Sequence, residues 1–318
     1  MANATVSYQP PAGAPTPTAG VLLPTTSNDP TPSALVDFAV RAEHLGYDSL
    51  WVGETLLRPV LEPLTTLAAV STVTSRIKLG TAAMLPAFRA PVQAAQALAS
   101  LDLLSGGRLI VTVGAGFPGR SETEYAWSGV PWPQRFTRLD ETVALWRQLW
   151  TADEPVSFHG KVLHYDAVPP VARPHGPEIW LGGATPKALE RTGRLYDGWL
   201  PYPPSPSDYT PGLEAVHAAA AAAGRDPSAI TPALYATVLV TDTVAEGEAA
   251  LDDFTRRNYG KPLDVVRTIQ LLVAGPREHI EAELRKYVDA GARHVLLRIA
   301  ALDMAAQADQ LAAIAGML

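Results

Sequence analysis

The chain has 318 residues, no cysteine and a formal net charge of -7. The missing cysteine excludes disulfides, thiolate catalysis and cysteine-ligated metals and fits a reducing cytoplasm, while the negative charge argues against a nucleic-acid partner. No apolar run is long enough to cross a bilayer, and the length suits a single α/β barrel.

The opening "MANATVSYQPPAGAPTPTAG" has neither a basic leader nor an apolar core, so residues 1–18 read as a flexible Pro/Ala arm. From residue 19 onward, apolar runs alternate with helical patterns. "GVLLP" is a first strand. Thr31 then sits where a helix cap belongs, Pro32 follows at the first helical position, and Leu35, Phe38, Ala39, Ala42 and Leu45 recur at helical spacing before Gly46. "SLWVGE" is a second strand, Pro63 opens a second helix, and "RIKLGTAA" is a third strand. Pro91 opens a third helix that closes at Gly106-Gly107, before the strand "RLIVTVGAG".

An irregular insert over 117–136 and a helix around Leu139 to Trp150 come next, followed by a polar hairpin, "VSFHGKVLHYDA". The rhythm then resumes with "EIWLGG", a helix from Pro186, "DGWLP", an Ala-rich helix ending at Gly224 and "ALYATVLV". A helical insert to about Val273, the helix "EHIEAELRKYVDAG" and the strand "HVLLRIA" complete the chain. That makes about eight strands, the closure number of a (β/α)8 TIM barrel, here with insertions after strands 4 and 7 in one domain over 19–318. A doubly wound open sheet is the alternative.

In a barrel the chemistry stands at the C-terminal ends of the strands. Gly182 and Gly183 end a late strand directly before a helix, where bare backbone N–H groups and the helix N-terminus favour a phosphate. Pro186 has no N–H, so Gly183, Ala184 and Thr185 are the donors, with the Thr185 hydroxyl capping the helix or touching the phosphate. "GAGFPG" (114–119) has the spacing of a dinucleotide fingerprint, but Pro118 disrupts the helix it requires, so Gly114 to Gly116 read as open backbone beside a ring. Glu54, Arg89, Glu122 and Glu124 follow strand ends, where acids and bases would stand. Trp127, Trp132, Trp199 and Tyr202 lie on strand-end loops and are candidates to line an apolar pocket. His159 and His164 face each other across the hairpin without a carboxylate cluster that would make them a metal site.

Together "AEHLGYDSLWVGE", "RIKLGTAAMLPAFRAPVQAAQALASLDLLSGGRL", "VGAGF", "EYAWSGVPWPQRFTRLDE", "IWLGGATPKALERTGRLYDGWLP" and "YVDAGARHVLLR" resemble the luciferase-like monooxygenase superfamily. Its members are TIM-barrel enzymes that use reduced flavin mononucleotide (FMN) or the deazaflavin coenzyme F420. The resemblance implies that Gly182, Gly183, Ala184 and Thr185 hold the cofactor phosphate. It also implies that Gly114, Ala115 and Gly116 line the ring or ribityl side, and that a non-proline cis peptide joins Ala82 and Ala83. Trp51, Trp199 and the stretch Leu79, Gly80, Thr81, Ala82 and Ala83 would shape the ring pocket.

Two departures bear on the chemistry the resemblance implies. Thr55 follows Glu54 where many relatives have histidine, and Phe117 follows the "GAG" where sugar-phosphate dehydrogenases of the superfamily have glutamate. The first removes a ring donor or acid/base group, and the second fits a less polar substrate, or hydride delivery with the proton supplied by water or a loop residue. The expectation is an F420-dependent (alternatively FMN-dependent) oxidoreductase moving hydride to or from an activated C=C, C=N or carbonyl of a small-molecule or peptide substrate. Glu54, Thr55 and Arg89 would take catalytic, substrate-side polar roles. The alternatives are an FMNH2-dependent monooxygenase using O2 and a cofactor-binding homologue without turnover. Arg89, Arg120 and Lys187 are candidates for the anionic tail of F420, and the segments 117–136 and 253–273 for specificity. No nucleic-acid, membrane or metal partner is expected, a cytoplasmic location is expected from the missing cysteine, and the resemblance implies a homodimer.

Overall fold

The computed structural model describes residues 16–28, 30–203 and 205–318. The first half runs β1 (Thr18–Leu22), α1 (Pro32–His44), β2 (Ser49–Val52), α2 (Pro63–Ser71), β3 (Lys78–Met84), α3 (Pro91–Ser105) and β4 (Leu109–Val113). It continues with α4 (Glu122–Trp127), α5 (Arg135–Thr151), β5 (Val156–His159), β6 (His164–Val168), β7 (Glu178–Gly182), α6 (Pro186–Leu195) and β8 (Gly198–Leu200). Last come α7 (Pro206–Ala222), β9 (Thr231–Val240), α8 (Val244–Tyr259), α9 (Leu263–Arg267), β10 (Leu271–Gly275), α10 (Arg277–Asp289), β11 (His294–Ile299) and α11 (Met304–Ala313).

Eight parallel strands close in the order β1-β2-β3-β4-β7-β8-β9-β11, with β11 pairing back onto β1. This is the expected (β/α)8 barrel. Helix starts follow the local chemistry: the Thr31 hydroxyl accepts from the Ala34 N–H at 3.2 Å, and Pro32 needs no partner at the first turn. At the other end of α3, Gly106 takes the left-handed conformation with φ 69° and stops the helix.

Two apolar layers follow from strand alternation. Leu50, Val52, Leu79, Val111, Ile179, Leu181 and Leu297 face the outer helices, whereas Trp51, Ile110, Trp180, Leu200, Ala233 and Leu296 fill the barrel. A side chain at Gly20 or Gly80 would run into the Trp51 indole, so those glycines make its room.

Some expectations change. The segment before Val273 contains a strand, β10, which pairs with β9 outside the closed barrel. Thr18, expected in the arm, belongs to β1 and pairs with His294; most of the proposed arm lies outside the described residues. The hairpin forms as β5 and β6, with His159 opposite His164. Among the described residues, no helix is long and apolar enough to cross a membrane.

Candidate functional site

The turn between β7 and α6 lies at the C-terminal rim of the barrel. Gly183 has φ 107°, a conformation strained for any L side chain, and a Cβ built there would meet only the Ala188 Cβ, at 3.5 Å. The Thr185 hydroxyl accepts from the Ala188 N–H at 3.3 Å, which makes it the cap of α6. The N–H groups of Gly183, Ala184 and Thr185 meet no acceptor among the described residues. Three backbone donors thus stand open at a helix N-terminus.

Trp199 has a different place from the one expected. Its indole lies in the outer core against Tyr209, 5.0 Å between ring centroids, and donates its N–H to the Gly183 carbonyl at 2.9 Å. It supports the turn from behind and does not wall a ring pocket. Outward parity on β8 is the reason, since Leu200 takes the inward position next to it.

Trp51 is also corrected: it is fully buried inside the barrel and forms the floor beneath the rim. Its N–H donates to the Ser49 hydroxyl at 2.6 Å, and that hydroxyl lies 3.0 Å from His294 Nε2. The other imidazole nitrogen lies 2.6 Å from the Thr18 hydroxyl. Burial pushes the His294 pKa down to about 4, so the ring is neutral at pH 7.

Of the β3 stretch, Leu79 faces the outer core, Gly80 lies against Trp51, and Thr81 is buried with its hydroxyl bonded to the Thr112 carbonyl at 2.9 Å. None of these three reaches the rim. Ala82 and Ala83 do, half-buried and joined by a cis peptide. A Cβ on Gly114 would lie 3.6 Å from the Ala83 Cβ, so the ends of β3 and β4 present an almost bare backbone edge. The Ala115 side chain packs on the outer core, and Gly116, with φ 77°, leads into the turn where the Phe117 N–H meets the Ser121 hydroxyl at 3.0 Å. Strand order β3-β4-β7 therefore places Ala82, Ala83, Gly114 and the Gly183 turn along one arc of the rim.

The three candidates for substrate-side chemistry all have partners inside the protein. Glu54 pairs with Arg89 at 2.5 Å and accepts from the Leu85 N–H at 2.6 Å, and Arg89 also pairs with Glu62. Burial pushes the Glu54 carboxyl up from its ordinary value, against the pull of Arg89 and the Leu85 N–H. The Thr55 hydroxyl donates to the buried Glu124 carboxylate at 2.8 Å, which also accepts from the Leu56 N–H at 2.7 Å. These contacts tie the loop after β2 to the end of β3 and to α4.

An aromatic edge completes the mouth. Phe117 stacks on Tyr202 with centroids 6.1 Å apart, and Tyr202 meets Tyr235 edge-on at 6.3 Å. Trp132 instead packs against Tyr125 at 5.0 Å, and Trp127, Arg120 and Lys187 are exposed. His159 pairs with Asp166 at 3.2 Å on the exposed hairpin, and no metal-binding group is found among the described residues. Sequence reasoning missed Tyr235 and Arg298. Strand alternation held the signal for the arginine, because His294, Leu296 and Arg298 share one parity on β11.

The family model of the luciferase-like monooxygenases matches residues 10–311. The chain is 37% identical over 180 residues to an F420-dependent glucose-6-phosphate dehydrogenase of Amycolatopsis mediterranei, a match covering 53% of this chain and 53% of the relative. It is 34% identical over 239 residues to a phthiodiolone/phenolphthiodiolone dimycocerosates ketoreductase of Mycobacterium tuberculosis, covering 65% and 61%. The matches thus span about half to three fifths of the length of these curated relatives. Among solved structures, an F420-dependent secondary alcohol dehydrogenase in complex with an F420-acetone adduct superposes with TM-score 0.81 at 21% identity, covering 95% of this chain and 99% of that one. A monooxygenase from Streptomyces bottropensis gives 0.79 at 23%, covering 95% and 98%. At these identities the structural likeness is one of fold. The family match over nearly the whole chain shows that this protein belongs to the luciferase-like monooxygenase family.

Proposed function

We propose that the protein is an oxidoreductase that uses coenzyme F420, with FMN as the alternative, to move hydride to or from an activated C=C, C=N or carbonyl carbon of a small organic substrate. The observation that carries this reading is the open set of N–H groups at Gly183, Ala184 and Thr185, on the same arc of the rim as the bare edge of Ala82, Ala83 and Gly114. The turn fits a cofactor phosphate because nothing fills the space above Gly183 and the α6 N-terminus favours negative charge. When bound, the cofactor would supply the ring atom that gives or takes hydride, a carbon in F420 and a nitrogen in FMN.

The chain's own residues bind and orient. Gly183, Ala184 and Thr185 hold the phosphate, and Ala82, Ala83 and Gly114 offer a flat edge to the ring. Phe117 and Tyr202 border the substrate space with apolar faces. Glu54, Arg89 and Thr55 act as positioning residues that fix the loops around this space. F420 stands ahead of FMN because a relative at 37% identity is named as F420-dependent, and hydride transfer ahead of oxygenation because a relative at 34% is named as a ketoreductase. A cytoplasmic homodimer acting on a small-molecule or peptide substrate is part of the same proposal.

The test is anaerobic mixing of the purified protein with reduced F420 and a panel of enones, imines and ketones. Substrate-dependent return of the oxidised F420 absorbance is expected. Oxygen uptake with reduced FMN, without F420 turnover, would transfer the site to the monooxygenase reading.

A further inference from the structure

The insert after β9 brings α8 over the mouth, and there two arginines meet without a counter-charge. Arg298 shares the inward parity of β11, so its side chain rises from the barrel interior. Its guanidinium lies 4.8 Å from the Phe254 ring centroid and 5.6 Å from that of Tyr259. It donates to the Tyr259 hydroxyl at 2.5 Å, to Asn258 Oδ1 at 3.3 Å and to the Thr26 hydroxyl at 3.4 Å. Arg58, from the loop after β2, donates to the same Asn258 Oδ1 at 3.1 Å and to the Asn258 carbonyl at 2.6 Å.

Two guanidiniums therefore share one amide oxygen, and all their partners are neutral. Arg89, Arg147 and Arg191 each have a carboxylate, whereas neither Arg58 nor Arg298 forms an ion pair among the described residues. Like charges held together at a partly buried place repel, and an arginine cannot relieve this by losing its proton. Burial, with Arg120 and Arg298 nearby, holds Arg58 below its ordinary value, whereas against the effect of burial the Tyr259 and Tyr235 hydroxyls hold Arg298 above its own. A carboxylate or phosphate bridging the two would remove the repulsion and gain charge-assisted hydrogen bonds.

Position separates this place from the cofactor turn. Arg298 lies on β11, Thr26 and Arg58 follow β1 and β2, these three strands are neighbours in the barrel, and β7 stands across the circle from β1. We infer that Arg58 and Arg298 form a subsite for a carboxylate or phosphate on the substrate, at the end remote from the reacting carbon. This rests on the proposed function and deepens it: the substrate class is a small molecule with an apolar reactive part facing Phe117 and Tyr202 and an anionic end held by the arginine pair.

The test is calorimetric titration of the whole chain with inorganic phosphate at constant ionic strength. Binding is expected in the wild type and in Gly183→Val, whose cofactor turn is disabled. With the turn disabled by Gly183→Val, binding should fall at least tenfold when Arg58→Gln or Asn258→Asp is added, the second because its new carboxylate occupies the pair, which should also raise the melting temperature. No binding in Gly183→Val, or equal binding in Gly183→Val with and without Arg58→Gln, would overturn the subsite, whether or not F420 binds. Unchanged F420 affinity in Arg58→Gln supports a substrate anion; a tenfold drop would give the pair to the cofactor tail and overturn the substrate assignment.

Discussion

The indole N–H of Trp199 donates to the carbonyl oxygen of Gly183 at 2.9 Å, so a side chain of the outer core fixes the turn whose three N–H groups meet no acceptor among the described residues. Replacing Trp199 by Phe keeps an aromatic ring against Tyr209 and removes that donor. A hydrogen bond of this kind contributes about 1 kcal/mol net. Cofactor affinity should fall by about fivefold, and titration checks it; an unchanged affinity would show that the turn holds itself.

Gly183→Val is the stronger version of the same test. At φ 107° a β-branched residue is strained, at a cost of about 1–2 kcal/mol, and its side chain covers the donors. Urea unfolding should show a cooperative transition at modestly lower denaturant, while cofactor affinity drops by about tenfold or more. Full affinity in the folded variant would remove the phosphate from this turn.

His294 makes stability depend on pH in a defined window. Its folded pKa of about 4 lies below the ordinary imidazole value of 6.5, so between these limits the unfolded chain binds a proton that the folded chain does not. Stability therefore rises with pH across that interval and is lost as pH falls through it, by about 3 kcal/mol at most. Urea unfolding from pH 7 to 4 should show this slope in the wild type and a shallower one in His294→Gln. Equal slopes would mean that the imidazole takes up its proton in the folded state.

Glu54→Gln removes the charge facing Arg89 but leaves an acceptor for the Leu85 N–H. Breaking a buried pair from one side costs about 3 kcal/mol, and Glu62 remains to hold Arg89, so about 2 kcal/mol is expected here. A positioning role predicts that turnover falls together with cofactor affinity. Turnover lost by more than about a hundredfold at unchanged affinity and stability would instead make Glu54 a catalytic residue.

Much of the fold was legible because local chemistry and global pattern agree. Thr31 with Pro32, Thr185 with Pro186, and Gly106 after α3 announce helix ends by capping and by positive φ, which depend on a few neighbouring residues. β10 was missed because "LLVAG" is apolar throughout, and a short buried run carries no period by which to tell strand from helix. The turn at Gly182 to Thr185 was legible for the same local reasons as the caps.

The walls of the site were not legible, because they depend on parity. The family resemblance puts Trp51 and Trp199 in one pocket, yet one fills the barrel and the other faces the helices. A shift of one residue decides which, and a strand of three residues such as β8 leaves little pattern to fix it. The meeting of Arg58 with Arg298 through Asn258 joins three distant segments, which only the closed barrel and its insert bring together.

The most direct test of the central claim is a titration of the protein with coenzyme F420 and with FMN, each oxidised and reduced, read by fluorescence or calorimetry beside the Gly183→Val variant. Selective binding of F420 at one site per chain, lost in the variant, is expected. Selective binding of reduced FMN, binding of neither cofactor, or F420 binding that survives in Gly183→Val would contradict it.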